Sequence, residues 1–293
     1  MSTLFCMNFK KMALNDSDVP PRLRNIPSPP DVLYTFGENL KVILKYPLLT
    51  VVGARKISPY GRQVTTQLAG EAAQAGIGIV SGLAIGVDGL AHQAALDNGA
   101  PTIAVLPCGI DNIYPRSHYN LAQNILKQGG VLLSEYPKGS KIAFKSNFIE
   151  RNRLVAGLGD ALLVTEATEK SGTLHTARFA LEQGKTVLAV PGNITNPGSQ
   201  GTNNLIKSGA IPVTEIGDIL HAMGISPQKT KSKPRSSDPS EQKLIDLISN
   251  GVSDGAELII LSELNASQFN QTLTMLEIRG VIRPLGSNHW ALY

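Results

Sequence analysis

What most restricts the fold of this chain is a repeated form: seven short apolar runs, each passing through a small or polar turn into an amphipathic stretch. The runs are residues 48–53, 77–81, 102–107, 131–136, 161–165, 186–190 and 211–214. The helical stretches that follow are 61–75, 87–98, 118–127, 149–158, 173–183, 201–207 and 216–223. Strands this continuously apolar are buried on both faces, and an intervening helix is what allows successive strands to lie parallel. The expected fold is therefore α/β: a doubly wound, mostly parallel, extended Rossmann-like sheet. With 293 residues, 42% of them apolar, the chain can fill such a core and still build a second domain.

Residues 1–30 contain Pro20-Pro21 and Pro29-Pro30, show no periodicity, and read as an extended lead-in to a domain over 31–226. Residues 227–240 are rich in Lys, Ser and Pro and read as a basic linker. Residues 241–293 then hold three helical stretches, 242–249, 256–261 and 266–280. An alternating run over 281–292 turns at Gly286-Ser287. Three helices and a hairpin make a winged helix-turn-helix.

Charge is divided unevenly between these parts. Residues 238–293 set Lys243, Arg279 and Arg283 against seven carboxylates, a net −4, which leaves +8 on the rest of a chain whose total is +4. Lys229, Lys231, Lys233 and Arg235 of the linker supply half of that surplus. A polyanionic partner is expected on the body and not on the tail. Aromatics are only 5%, which argues against rows of stacking rings. Cys6 and Cys108 stand in no disulfide or metal spacing and the five histidines are scattered, so neither a metal nor a cofactor is expected. No apolar run approaches a bilayer span, and the N-terminus lacks the basic, apolar, small-residue succession of a secretion signal. The expected compartment is the cytoplasm, with no membrane partner.

In an open parallel sheet, ligands sit outside the carboxyl ends of the strands. There this chain places Gly53-Ala54-Arg55, Ser81-Gly82-Leu83, Pro107-Cys108-Gly109, Ser134-Glu135-Tyr136, Glu166 to Thr173, and Pro191-Gly192-Asn193. Turns need small residues for their own geometry, but six such ends converging on one edge describe a pocket. Ser81-Gly82-Leu83-Ala84-Ile85-Gly86 and Lys170-Ser171-Gly172-Thr173 both run into helix N-termini, whose free amides and dipole favour a phosphate. Neither is a GxGxxG or P-loop element, so a dinucleotide or ATP is not indicated. Arg55 and Lys56 follow the first run, while Lys138, Lys141 and Lys145 follow the fourth. Arg151-Asn152-Arg153 opens the next helical stretch, where guanidinium forks suit bidentate phosphate contact. Tyr136, Phe144 and Phe148 offer a stacking face or plain core.

Catalysis has little to rest on. Asp88 and His92 lie i, i+4 on one helix, as a base and its orienter would. They equally suit a carboxylate favouring the helix dipole and an imidazole packed one turn on. No nucleophile elbow, HExxH or carboxylate triad accompanies them.

The ordered blocks resemble the DNA-processing protein A (DprA/Smf) family. They are Val52-Gly53-Ala54-Arg55 with Ser58-Pro59-Tyr60-Gly61, Ser81-Gly82-Leu83-Ala84 with Gly86-Val87-Asp88, and Leu106-Pro107-Cys108-Gly109 with Tyr114-Pro115. Ser134-Glu135-Tyr136-Pro137, Phe148-Ile149-Glu150-Arg151-Asn152-Arg153, Glu166-Ala167 with Ser171-Gly172-Thr173, and Gly198-Ser199-Gln200-Gly201-Thr202 continue the match in order. The resemblance covers about residues 20–223 and is less specific in the tail. It implies a dimerising Rossmann domain of natural transformation that coats incoming single-stranded DNA, displaces or bypasses single-strand-binding protein and loads a RecA-type recombinase, with no enzymatic turnover. Carried over by position, the strand-binding residues are Arg55, the Ser81-Gly82 loop, Lys141 or Lys145, and Arg151-Asn152-Arg153, with Ser171-Gly172-Thr173 nearby; Gly53, Lys56, Leu83, Phe148 and Glu166 complete the expected DNA-binding set. The family usually has arginine where this chain has Ile85, so the 81–86 loop is expected to bind through backbone amides more than through side-chain charge. With only about 30 residues ahead of the first blocks, the family's N-terminal helical domain is not expected here.

Two other readings are distinguishable. Nucleotide hydrolases of the LOG and lysine-decarboxylase-like type carry a PGGxGTxxE element, whereas here Pro191-Gly192-Asn193 brings no such glutamate and Gly201-Thr202 is followed by Asn203-Asn204. The second makes the Rossmann part an effector sensor and the winged helix the DNA reader. A reading helix needs cations, and 266–280 has only Arg279 beside Glu277.

Overall fold

A computed structural model describes residues 9–16, 19–37, 40–226, 236, 238–286 and 288–292. The chain divides into two compact units, residues 1–227 and 228–293. Most of the basic linker lies outside the described residues.

The larger unit is an α/β structure on one nine-stranded sheet. Its strands are β1 (Phe9–Ala13), β2 (Val32–Phe36), β3 (Leu48–Val52), β4 (Gly78–Ser81), β5 (Thr102–Val105), β6 (Val131–Ser134), β7 (Ala161–Val164), β8 (Thr186–Ala189) and β9 (Ile211–Pro212). Its helices are α1 (Pro21–Arg24), α2 (Leu40–Ile43), α3 (Pro59–Gln74), α4 (Val87–Asp97), α5 (Tyr119–Lys127), α6 (Ser146–Leu158), α7 (Thr173–Glu182), α8 (Pro197–Lys207) and α9 (Ile216–Ala222). Spatially the strands run β1-β2-β6-β5-β4-β3-β7-β8-β9. All pairs from β6 to β9 are parallel, while β1 with β2 and β2 with β6 are antiparallel. The chain winds outward from β3 to β6, then crosses back and winds the other way from β7. β3 and β7 are therefore the switch point, where the connections diverge and leave a crevice.

Successive side chains of a strand point to opposite faces, and the core divides accordingly. Leu48 and Val52 of β3 join α6, α7 and the N-terminal segment on one face. Leu49 and Val51 join α3, α4 and α9 on the other. All five residues of β3 are buried, and each apolar one contributes about 1.5–3 kcal/mol relative to exposure. A third cluster packs α5 beneath β5 and β6. Among the described residues no helix is long and apolar enough to cross a membrane.

The described residues of 9–30 are not an extended lead-in. Met12, Val19, Leu23 and Ile26 are buried at 6% exposure or less and complete the first face. β1 and β2 form an antiparallel pair that covers the β6 side of the sheet. β1 buries one residue in five, so no alternation announces it. In β2 the pattern is regular but spans only five residues.

The smaller unit has helices α10 (Pro239–Ser249), α11 (Gly255–Ser262) and α12 (Ala266–Ile278), and a hairpin of β10 (Ile282–Gly286) with β11 (His289–Leu292). Asp238, Asp254 and Asn265 cap the three helices with side-chain acceptors. Leu244, Leu258, Phe269, Leu273, Leu276 and Ile282 form its own core. This is a winged helix.

Candidate functional site

A cleft of about 640 Å³ opens at the switch point, within the ~300–1,000 Å³ range of ligand sites. Val52, Gly53 and Arg55 leave the end of β3, and Gly82 and Ala84 the end of β4. Ser171, Gly172 and Thr173 lead into α7, and Lys145 and α6 close the remaining side. On α6, Phe148, Arg151, Asn152 and Val155 all face the cleft, a spacing of i, i+3, i+4, i+7 that one helix face requires.

Arg151 is the centre of this wall. It is 3% exposed, and its Nη1 donates to Gly82 O at 2.6 Å and to Val105 O, joining the ends of β4 and β5. Gly82 is required by that approach, because a Cβ there would lie 2.5 Å from the Arg151 Nη1. Burial pushes the Arg151 guanidinium down to about 10 against the support of Asp88, so it stays protonated at neutral pH. Its charge faces the cleft, but Nη1 is spent on these two carbonyls and Nε donates to Asn152 Oδ1 at 3.2 Å. The expectation of a free bidentate fork is corrected accordingly.

Arg55 is the exposed counterpart. Its guanidinium lies 5.0 Å from the Phe148 ring centroid, and that ring meets Tyr114 edge-on at 5.5 Å. Arg55, Lys145 and Arg151 give the lining three cations against the single carboxylate of Asp88. That carboxylate faces inward. Its Oδ2 accepts from Gly82 N at 3.1 Å and Ala84 N at 3.3 Å. Desolvation raises the Asp88 pKa, opposed by Arg151, these two amides and Arg55.

The 81–86 loop therefore does not offer those two amides to a ligand: Asp88 has taken them. His92 is equally committed to structure. Thr102 Oγ1 donates to Ile79 O at 2.8 Å, so it accepts from His92 Nδ1, 2.7 Å away. His92 is thus the neutral Nδ1–H tautomer, and burial pushes its pKa down to about 3. The hydrogen bonds of Asp88 and His92 lead apart, and no base–orienter pair exists between them.

Ten of the expected residues come together in the cleft: Gly53, Arg55, Gly82, Lys145, Phe148, Arg151, Asn152, Ser171, Gly172 and Thr173. Lys56, Ser81, Leu83, Lys141, Arg153 and Glu166 do not line it. Ser81 and Leu83 are fully buried, with Ser81 Oγ donating to Val51 O at 2.6 Å. Arg153 lies two residues, about 200°, around α6 from Arg151, and binds both oxygens of Glu135 at 3.2 and 2.6 Å. Glu166 accepts from Ser58 N and Ser58 Oγ, each at 3.1 Å, and so secures the start of α3. Lys56 and Lys141 are exposed outside the cleft. Tyr136 turns away to donate to Glu150 at 3.1 Å.

Thr176 and Val155 were missed, although each lies one helical turn beyond an expected residue, Thr173 and Asn152. Tyr114 was missed because its loop has no periodicity to place it. Ser171 Oγ accepts from Thr173 N at 3.2 Å, and Thr173 Oγ1 donates to Gly53 O at 2.9 Å, which fixes the entry to α7.

In the smaller unit, α12 exposes Ser267, Gln268, Asn270, Gln271, Thr274, Met275, Glu277 and Ile278, with no cation among them. Arg279, just beyond, pairs with Glu241 at 2.8 Å. Among the described residues this unit lacks the charge that groove binding needs. No group of residues suited to a metal ion occurs among them in either unit.

These features define a class: doubly wound α/β proteins with an anion-receptive cleft at the switch point and a winged helix toward the C-terminus. Residues 10–224 match the family of DNA recombination-mediator protein A, and residues 228–288 match the DprA winged helix domain. The chain belongs to the DNA recombination-mediator protein A family. It is 46% identical over 202 residues to protein Smf of Escherichia coli, a match covering 69% of this chain and 53% of that protein. With DNA processing protein DprA of Bacillus subtilis it shares 38% over 210 residues, 72% of this chain and 70% of the other. Thus it spans about half the length of the Escherichia coli relative. DNA processing protein A of Helicobacter pylori, whose single-stranded DNA binding mode is described structurally, superposes with a TM-score of 0.66 at 33% identity, covering 74% of this chain and 96% of that one. The Streptococcus pneumoniae protein superposes at 0.68 and 38% identity, covering 73% and 74%.

Proposed function

We propose that this chain binds single-stranded DNA in the switch-point cleft, with consecutive phosphates held by Arg55 and Lys145 over the buried charge of Arg151. The observation that carries this reading is the lining itself: three cations converge there, while the one carboxylate is turned under a loop. The relation to the Helicobacter pylori protein supports it. In this reading the protein is a binding component of natural transformation and not an enzyme. It protects incoming strands against or alongside single-strand-binding protein and delivers them to a RecA-type recombinase in the cytoplasm. A homodimer presents two clefts and bridges two strands, with avidity gained from linkage.

Gel-shift titration of single- against double-stranded DNA tests the proposal. Wild type is expected to prefer the single strand, and log Kd to vary with log salt at about 0.7 per phosphate neutralised. Arg55→Ala and Lys145→Ala are each expected to lower that slope by about 0.7. Salt-independent binding refutes the electrostatic account. Release of free base from nucleoside monophosphates at an enzymatic rate refutes the purely binding role.

A further inference from the structure

The single carboxylate of the cleft lining stands within the field of the cations proposed to hold phosphate. Asp88, in the first turn of α4, is 8% exposed, and both of its hydrogen bonds fall on one oxygen, Oδ2, from Gly82 N and Ala84 N. Among the described residues no donor is found on Oδ1. Leu83, between the two amides, is fully buried in the left-handed region at φ +57°, and its carbonyl accepts from His118 Nδ1 at 2.9 Å. At Gly86, φ is +85° and a Cβ would lie 2.2 Å from Ala54 O, so the loop rests on the backbone that carries Arg55. To swing out of the cleft, Asp88 has to give up both amides and release this whole loop.

Two charges act on the carboxylate, Arg151 from α6 and Arg55 from the end of β3. The adjoining strands β3, β4 and β5 carry no ionisable side chain. Those of α3 and α5, namely Tyr60, Arg62, Glu71, Tyr119 and Lys127, do not act on it. On α4 itself Asp97 lies at the far end and His92 is neutral, while His118 turns its Nδ1 to Leu83. Burial moves the Asp88 carboxyl upward, against the two arginines and the two amides.

A phosphate that enters beside the same arginines adds a second negative charge to this enclosure. Asp88 is held in place, so the two anions share one set of cations. Like charges in a poorly solvated site favour the neutral form of whichever group can take a proton. Near neutral pH a phosphodiester cannot, whereas a carboxyl can, at the open Oδ1. We propose that Asp88 is the proton-linked counter-charge of the cleft, ionised at neutral pH while the cleft is free and taking up a proton when a strand phosphate enters. The inference rests on the strand-binding reading above and adds regulation to that site. Its sign follows from linkage. The bound form holds the proton more tightly than the free form, so affinity rises as pH falls through the bound-state pKa and levels off below the free-state pKa.

The test is titration of the full chain with oligothymidylate, which itself does not titrate here, from about pH 8 to about pH 5, where a raised carboxyl changes charge. At fixed salt, wild-type affinity is expected to rise on the order of tenfold across that range. Calorimetry in two buffers of unequal ionisation heat is expected to show net proton uptake on binding. Asp88→Asn keeps an acceptor for both amides and removes the charge. It is expected to bind on the order of tenfold more tightly than wild type at the upper end of the range, and to lose both the pH dependence and the proton uptake. An imidazole gaining charge gives the same trend, but that trend persists in Asp88→Asn. The proposal is overturned if salt-dependent wild-type binding is flat with pH, if no proton is taken up, or if Asp88→Asn keeps the full dependence. The buffer comparison on wild type decides the matter even where the variant does not fold. Wild-type binding that does not respond to salt at any pH refutes the phosphate-cleft reading instead.

Discussion

Replacing Arg151 with alanine separates a buried structural cation from a surface phosphate contact. The change removes the donor to Gly82 O and Val105 O and the cation that opposes desolvation of Asp88. Each orphaned buried acceptor costs about 1–3 kcal/mol. Breaking a buried charge pair by deleting one partner costs about 3–5 kcal/mol. These terms overlap, since all describe the loss of one guanidinium, so a total of about 3–5 kcal/mol is expected. For a unit of this size each kcal/mol lowers Tm by about 2–4 °C, giving a fall on the order of 6–20 °C. Differential scanning calorimetry measures it directly, and strand affinity is then read at a temperature where the variant is folded. Arg55→Ala is the internal control: an exposed residue, its loss is expected to shift stability by no more than about 0.5 kcal/mol. A Tm for Arg151→Ala within about 2 °C of wild type refutes the assignment of Arg151 to the scaffold.

Glu166→Gln is expected to weaken the start of α3 by about 1–2 kcal/mol, roughly 2–8 °C in Tm, with strand affinity unchanged. A large affinity loss without a stability loss returns Glu166 to the site. His92 has a folded-state pKa of about 3 against an ordinary 6.5, so the folded protein binds fewer protons between those values. Its contribution to stability is complete above pH 6.5 and declines toward pH 3, by up to about 1.4 kcal/mol per pH unit. Asp88, with a raised pKa, acts in the opposite sense, favouring the folded state as pH falls. Urea unfolding of His92→Gln across this range is expected to show a shallower decline than wild type, and an equal decline refutes the assignment. Removal of residues 241–293, which leaves the basic linker in place, is expected to leave single-strand affinity within about threefold, because α12 exposes no cation. Loss of nearly all affinity makes the winged helix the reader.

The sheet was legible because strands buried on both faces must be apolar throughout, and seven such runs with helices between them fit few arrangements. The N-terminal strands were not, because an edge pair with one residue in five buried carries no strong pattern. The site was legible as a place: glycine, serine and basic residues at successive strand ends converge on one edge in any doubly wound sheet. Which of them face the cleft was a tertiary outcome. Arg151 and Arg153 are chemically alike and two residues apart, yet helix rotation sends one under the cleft floor and the other to Glu135.

The sequence by itself determined the α/β class, the winged helix after it, the strand ends that bound the cleft and the separation of positive body from acidic tail. These follow from local periodicity and from charge counts, which do not depend on contacts distant in the chain. Only the tertiary structure decided that Asp88 occupies the amides of the 81–86 loop, that Arg151 is scaffold as well as charge, and that Tyr114 meets Phe148. Each of these is a meeting of segments whose distance is set by packing, and packing is not written in the spacing of either segment alone.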